Sequence, residues 1–397
     1  MSYELITTAP ELAALVERLA AADSIAFDTE FVSEDTYRSE LCLIQVAAAG
    51  RLAVVDPIAV GETAPFWERL AAEGHETIVH AGREELVFSL SIIGRRPARL
   101  FDVQIAAGLV GYDYPAGYGS LLNRLLGQAS QKGETRTDWR RRPLSSHQID
   151  YALDDVRYLG PLRDRLFEQL ARLDRTAWME AEMAAWQDDV EASRTREKWR
   201  RVSGINGLSA RSLAIVRELW RWREKEAERR DLPVRRVLRD DLIVELARRQ
   251  TADAKRIQAV RGLERGDLKR LLPEIARHID MALHSPEGDY PQFERREVPQ
   301  QINVLGQFLA TALTSICRAA RLAPSLVGSA SDVRDLIAFR LGYGPDEPPQ
   351  LARGWRAEVV GQQLDDLLAG RTSIRIIDPE SEEPLAFETS AAGRGKA

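Results

Sequence analysis

A β-strand is predicted by Ile25-Ala26-Phe27-Asp28-Thr29-Glu30-Phe31, in which larger apolar side chains alternate with smaller or charged ones. Successive side chains of a strand point to opposite faces, so Asp28 and Glu30 share one face. Two neighbouring carboxylates repel each other unless a cation lies between them. The segment therefore predicts a strand that carries a candidate cation site.

A helix is predicted over residues 148–159, where Tyr151 and Asp155 are four positions apart and project from the same side. A strand and a helix can bring Asp28, Glu30 and Asp155 to one point. Hard oxygen ligands of this kind suit Mg²⁺ or Mn²⁺. A pair of such ions roughly 3.5–4 Å apart stabilises the attacking and leaving oxygens of phosphodiester hydrolysis.

Each segment taken alone also fits a role without chemistry. Asp28 and Glu30 fit a solvated strand face, and Tyr151 with Asp155 fits a surface pair. His80 follows the apolar run 77–79 and fits a hydrogen bond that closes a strand.

The residues around these positions resemble the ribonuclease D family of DEDD 3′→5′ exonucleases. Its first motif is similar to residues 27–31 with Thr36-Tyr37 and 41–47, and its second to 79–86. Tyr151 and Asp155 fit its third motif in the tyrosine-bearing form. Residues 101–107 and 137–144 also match segments usual in the family, so the resemblance covers residues 1–190 strongly and the rest more loosely.

The resemblance implies a role for each matching residue. Asp28 would bridge two divalent ions, Glu30 and Asp155 would complete the first ion, and Glu85 would hold the second directly or through water. Tyr151 would orient the attacking water. Hydrolysis would release nucleoside 5′-monophosphates one at a time from a 3′ end.

Glu85 departs from the family pattern, which has aspartate at this position. The additional methylene moves the carboxylate by about 1.5 Å, and Mg²⁺ demands near-ideal octahedral geometry. We expect Glu85→Asp to restore the family geometry and raise activity, because the longer side chain displaces the second ion. The alternative is that the backbone has shifted to fit glutamate, in which case activity falls.

Length and composition indicate an intracellular protein of several domains. A chain of 397 residues exceeds what one core usually holds. Its two cysteines, Cys42 and Cys317, lie in apolar runs and exclude a disulfide framework. The N-terminus lacks a basic stretch followed by an apolar core, and no run of about eighteen apolar residues occurs. We therefore expect no signal peptide, no membrane span and a cytoplasmic location.

The net charge of −6 is unevenly distributed. Residues 191–270 hold 23 Lys and Arg against 13 Asp and Glu, which leaves −16 for the remainder. This basic module is suited to sequence-independent contacts with RNA phosphates. A solvated, charge-rich helical face is the alternative.

Strands and helices alternate early in the chain, which indicates an α/β layer arrangement. The resemblance implies a ribonuclease H-like mixed-sheet exonuclease domain (1–190), followed by two small all-α HRDC-like domains. We place the HRDC domain at 205–285, a linker at 286–301, the second HRDC-like domain at 302–385 and a flexible tail at 386–397.

Further residues are candidates for RNA contact. In the family, the region of Lys132, Arg136 and Arg140 lines the path of the RNA 3′ end, although each also fits a salt bridge. Trp220 is expected to pack internally. Trp222, flanked by arginines, fits either a stacking contact with a base or packing on its own helix.

These observations predict a metal-dependent 3′→5′ exoribonuclease that binds RNA with a free 3′ end and trims structured RNA such as precursor tRNA. One alternative is a DNA-directed 3′→5′ exonuclease of the same chemistry, since the 2′-hydroxyl is read by a few local contacts. The other is an RNA-binding adaptor with a weakened catalytic site, for which Glu85 is the direct indication.

Overall fold

The computed structural model describes residues 2–129, 137–263, 266–292 and 299–389. The N-terminal part combines six strands with nine helices among these residues. In chain order they are β1 (Glu4–Ile6), α1 (Ala9–Leu19), β2 (Ser24–Val32), β3 (Glu40–Ala48), β4 (Arg51–Val55), α2 (Pro57–Val60), α3 (Ala64–Ala71), β5 (Glu76–Val79), α4 (Arg83–Ile92), β6 (Leu100–Asp102), α5 (Val103–Leu109), α6 (Tyr118–Leu126), α7 (Ser146–Arg157), α8 (Leu159–Arg172) and α9 (Thr176–Thr195).

The six strands form one mixed sheet in the order β1-β4-β3-β2-β5-β6. β3 pairs antiparallel with β2 on one side and with β4 on the other. The remaining pairs are parallel: β1 with β4, β5 with β2, and β6 with β5. β3 and β4 form an antiparallel hairpin. Asp28 lies opposite Gln45 and Glu30 lies opposite Leu43, and the register shifts just after Glu30.

Helices cover both faces of the sheet. Phe27 packs edge-on against Phe66 and Trp67 of α3 on one face, within a core shared with α1. α7 packs across β2, β3 and β4 on the other face, where Leu153 and Val54 belong to one apolar cluster. Because side chains alternate along β2, Asp28 and Glu30 lie on the face covered by α7.

The middle of the chain is a helical unit with its own apolar core, which runs from Trp199 to Ala282. This core begins ahead of the boundary predicted at residue 205. Its helices are α10 (Ala210–Arg230), α11 (Val234–Val237), α12 (Asp240–Arg249), α13 (Ala254–Gln258), α14 (Gly266–Lys269) and α15 (Leu272–Leu283).

The last unit is not all-α. Helices α16 (Gln300–Ala319), α17 (Pro324–Val327), α18 (Ala330–Arg340), α19 (Gly354–Arg356) and α20 (Gln362–Leu368) precede an antiparallel hairpin of β7 (Thr372–Ile376) and β8 (Leu385–Thr389). Residues 386–389 therefore belong to a strand and not to the predicted tail, because they pair with β7.

This last unit shares its apolar core with the N-terminal part of the chain. The buried guanidinium of Arg356 forms two bonds to Glu182 of α9, at 2.6 and 2.8 Å. Trp355 stacks on Trp178 with ring centroids 5.3 Å apart. Removal of everything after about residue 191 would therefore expose apolar surface of α5 and α9. A truncated protein of this kind would not present the N-terminal part in its native surroundings.

Within the described ranges, no helix has the length and apolar character needed to cross a bilayer.

Candidate active site

α7 brings Tyr151 and Asp155 to the carboxylates of β2. The helix starts with a capping box, in which the backbone N–H of Gln148 donates to the Ser145 hydroxyl at 3.2 Å. Tyr151 and Asp155 then lie on one side of the helix, and the Tyr151 phenol lowers the pKa of Asp155 against the larger, opposite effect of burial. The ring of Tyr151 stacks on Trp139, with a centroid distance of 6.3 Å. Trp139 is 5 % exposed and therefore packs internally.

α4 supplies the remaining acidic residue. Glu85, in the first turn of this helix, is 5 % exposed, and its Oε1 accepts a hydrogen bond of 2.6 Å from the Thr29 hydroxyl. Thr29 lies between Asp28 and Glu30 in β2. This bond holds the longer side chain of Glu85 beside the strand that carries the two carboxylates.

Asp102 fixes the loop that leads into α4, a role that sequence reasoning missed. Its carboxylate accepts hydrogen bonds from the backbone N–H groups of Ala81 and Gly82, at 3.1 and 3.0 Å, and also caps α5. A Cβ at Gly82 would lie 2.4 Å from a methyl carbon of Val79, so the tight loop requires glycine here. The only sequence signal was that Asp102 lies in a segment resembling the family.

Mutual repulsion shows that the acidic groups are close together. Burial and the charges of Glu85, Asp155 and Glu30 hold the pKa of Asp28 well above its usual range. Burial, with the charges of Asp155 and Glu85, raises the pKa of Glu30 to about 8. Burial also raises the pKa of Asp155 to about 7, and that of Glu85 to about 7 despite the bond from Thr29. The cluster thus favours protons or cations.

The side chains do not stand in a finished ligand arrangement. Among the residues that the structure describes, no group of three or more His, Cys, Asp or Glu side chains is arranged to hold a metal ion. The donor set nevertheless fits a hard divalent cation, because it consists of buried carboxylate oxygens whose charges are not balanced.

Burial and the charges of Asp155, Glu30 and Asp28 raise the pKa of Tyr151 above its usual range. The phenol is therefore neutral at physiological pH and acts as a hydrogen-bond donor. His80 does not join the carboxylates; its Nε2 lies 2.9 Å from the carbonyl oxygen of Ala116. This contact agrees with the non-catalytic role proposed for His80, a hydrogen bond at the end of a strand.

The predicted RNA-binding residues have different outcomes. Lys132 and Arg136 lie outside the described residues. Arg140 is paired with Asp138, at 2.8 Å, and with Asp35, at 3.6 Å, so its salt-bridge alternative is observed.

The prediction that Trp222 stacks on an RNA base is wrong, because its side chain is 6 % exposed and lies within the helical core. Trp220, predicted to pack internally, packs against the same core but is only partly buried. The two tryptophans are separated by about 200° around α10. The side of the helix that turns toward the core therefore buries Trp222 more deeply than Trp220.

The helical unit contacts the loop that follows β2. The Tyr37 backbone N–H donates to Asp231 at 3.0 Å and its hydroxyl to Glu224 at 3.3 Å. Arg236 pairs with Asp35 at 2.7 Å. The segment Thr36-Tyr37, which carried part of the family resemblance, therefore joins the acidic strand to the basic module.

Comparison with known proteins agrees with this architecture. Residues 3–171 match the 3′-5′ exonuclease family and residues 212–279 match the HRDC domain. A ribonuclease D of Gluconacetobacter diazotrophicus is 34 % identical over 92 % of this chain and 93 % of its own length. A ribonuclease D of Acidiphilium cryptum is 36 % identical, over 93 % and 94 % of the two chains.

A solved structure gives the same result. The crystal structure of Escherichia coli RNase D, described as an exoribonuclease involved in structured RNA processing, matches with a TM-score of 0.82 and 28 % identity. The match covers 93 % of this chain and 99 % of the other. These relatives favour the RNA-directed enzyme over the DNA-directed enzyme and the adaptor.

Proposed function

Because this chain belongs to the ribonuclease D family of 3′→5′ exoribonucleases, we propose that its hydrolytic centre consists of Asp28, Glu30, Glu85, Tyr151 and Asp155. The observation that supports this proposal is the proximity of four acidic side chains from β2, α4 and α7. Glu85, Asp155 and Glu30 raise the pKa of Asp28. Asp155 and Glu85 also raise the pKa of Glu30. Such convergence is unfavourable in a merely solvated surface and is typical of a functional site.

The family depends on divalent metal, and we infer that the cations are two Mg²⁺ or Mn²⁺ ions. The four carboxylates would hold them, and the ions would neutralise the phosphate charge and favour ionisation of the attacking water. Asp28, central in the cluster, is suited to contact both ions. Glu85 is suited to the second ion, because the Thr29 hydroxyl engages only its Oε1 and leaves Oε2 for a cation.

Tyr151 acts through its neutral phenol. Its ring stacks on Trp139, which limits the directions in which the hydroxyl can point. A phenol with a raised pKa donates a hydrogen bond and does not remove a proton. We therefore assign Tyr151 to orienting the attacking water.

We propose RNA with a free 3′ end as the substrate, with precursor tRNA as the natural example and nucleoside 5′-monophosphates as products. The basic module has a cleft of about 460 Å³ beside the partly exposed Trp220, and its charged lining includes Lys198, Arg201, Arg235, Arg239 and Asp240. Arg239 also pairs with Asp241 at 2.7 Å, which leaves Lys198, Arg201 and Arg235 as the main candidates for phosphate contact. These charges are suited to phosphates and the indole is suited to an unpaired base.

The decisive experiment uses one RNA labelled at its 5′ or its 3′ end, incubated with Mg²⁺ or Mn²⁺. We expect the 3′ label to be released as a mononucleotide and the 5′-labelled RNA to shorten stepwise. Asp28→Asn should abolish both signals while retaining RNA binding. Asp23→Asn, which changes an exposed acidic residue just before β2, is the matched control. Hydrolysis by Asp28→Asn at the wild-type rate would refute the site.

The cleft has its own test. Charge reversal by Arg235→Glu should weaken binding of long RNA and flatten the slope of log K against log[salt] by about 0.7 for each phosphate that the variant no longer binds. Arg211→Glu makes the same charge change outside the cleft. Equal slopes for the two variants would assign the positive charge to a solvated face.

A further inference from the structure

Gln45 is a buried polar residue to which the proposed hydrolysis assigns no role. It lies in β3, is 0 % exposed, and neither its Oε1 nor its Nε2 has a hydrogen-bond partner. Buried amides are rarely unpaired, and an unpaired one in a protein interior calls for an explanation. Hydrophobic contact cannot supply it, because an apolar residue of the same size would fill this space without the unfavourable burial of two polar atoms.

The strand register places Gln45 next to the catalytic cluster. In the antiparallel pair of β2 and β3, Gln45 is directly opposite Asp28. Residues paired in this way point to the same face, with Cβ atoms about 4.5–5.5 Å apart. α7 covers this face, and its Leu153 packs with Leu43 and Val54. Leu43 is the preceding residue on the same face of β3, and Val54 lies opposite Gln45 in β4. The amide is thus enclosed between the sheet and the helix of Tyr151.

We propose that Gln45 is a positioning residue for Asp28. Its Nε2 donates a hydrogen bond to one carboxylate oxygen of Asp28 in the ionised site, which fixes the orientation in which the carboxylate faces the cations. An amide is suited to this task because it donates without adding charge to a cluster that already repels. This role rests on the proposed function of Asp28.

The test combines Gln45→Met, which removes both polar atoms at similar volume, with Leu43→Met as a control in the adjacent position of the same strand face. Mn²⁺ affinity is measured by calorimetry in the absence of RNA, and kcat and KM are measured with labelled RNA. Gln45→Met should weaken Mn²⁺ binding and lower kcat, each by about 10-fold or more. KM should stay within about twofold, and the midpoint of thermal unfolding should not fall.

Leu43→Met should leave Mn²⁺ affinity and kcat at wild-type values. If Gln45→Met matches Leu43→Met in both quantities, Gln45 only packs and the proposal is overturned. If Gln45→Met does not fold, Gln45→Leu carries the same expectations. Loss of folded protein in both variants, with Leu43→Met folded, would show that the amide stabilises the fold and would also overturn it.

Asp28→Asn separates this inference from the one on which it rests. An inactive Asp28→Asn with an unaffected Gln45→Met refutes only the role of Gln45. An active Asp28→Asn refutes the assignment of the site itself.

Discussion

Replacing Thr29 by valine removes the hydroxyl that donates to Glu85 and keeps the shape of the side chain. The bond is 2.6 Å long and joins two buried residues, which are both 5 % exposed. A hydrogen bond to an ionised group contributes roughly 1.5–3 kcal/mol, against about 0.5–1.5 kcal/mol for a neutral pair. We therefore expect Thr29→Val to lower the free energy of unfolding by an amount that depends on the charge of Glu85.

The pH dependence follows from the pKa of Glu85, which burial raises to about 7. A carboxyl whose pKa is raised by folding contributes stability below its unfolded pKa and loses it as pH rises through the folded value. The Thr29 bond opposes that loss, because it lowers the pKa of Glu85. The destabilisation by Thr29→Val should therefore grow from about 1 kcal/mol at pH 6 to about 2–3 kcal/mol at pH 8.5.

Urea unfolding of the metal-free protein at both pH values measures the effect. Thr29→Ser is the control, since it keeps the donor and loses one methyl group, which costs about 0.8 kcal/mol at either pH. A Thr29→Val loss that is the same at pH 6 and pH 8.5 would refute the reasoning. It would mean that the hydroxyl does not stabilise an ionised Glu85.

Three further predictions concern the same cluster. Tyr151→Phe should lower kcat by about 10²-fold with little change in RNA affinity; an unchanged kcat in single-turnover assays would return Tyr151 to packing. Glu85→Asp should lower activity and raise the Mg²⁺ concentration needed for half-maximal activity, because a side chain shorter by about 1.5 Å cannot keep the bond to Thr29; higher activity in a Mg²⁺ titration would show that glutamate misplaces the ion. Stability of the metal-free protein should fall as pH rises from about 5 to 8, since burial raises the pKa of Glu30 to about 8 and that of Asp155 to about 7; denaturant titrations should show that Mg²⁺ removes this slope, and a slope unchanged by Mg²⁺ would argue against cation binding at the cluster.

Local periodicity was sufficient for much of the site. The alternation in β2 and the four-residue spacing in α7 place Asp28 with Glu30, and Tyr151 with Asp155, because each pattern depends only on backbone geometry within one element. The fold class and the exoribonuclease activity were predicted from the same segments through their resemblance to a family, and the comparisons confirm both.

Tertiary contacts decided the rest. The Thr29 bond to Glu85, the loop held by Asp102 and the position of Gln45 opposite Asp28 join residues far apart in the chain, and no local pattern specifies them. The burial of Trp222 depended on which side of α10 meets its core, although both tryptophans lie in a similar arginine-rich context.

The last helical unit shows the same limit on a larger scale. Its amphipathic helices require a partner for their apolar faces, but their sequence does not identify that partner. In the structure the partner is the exonuclease part of the chain, where Arg356 bonds to Glu182 and Trp355 stacks on Trp178. Sequence determines which faces must be buried, because hydrophobicity is a property of the residue. Only the tertiary structure decides the partner, because apolar contact is not directional.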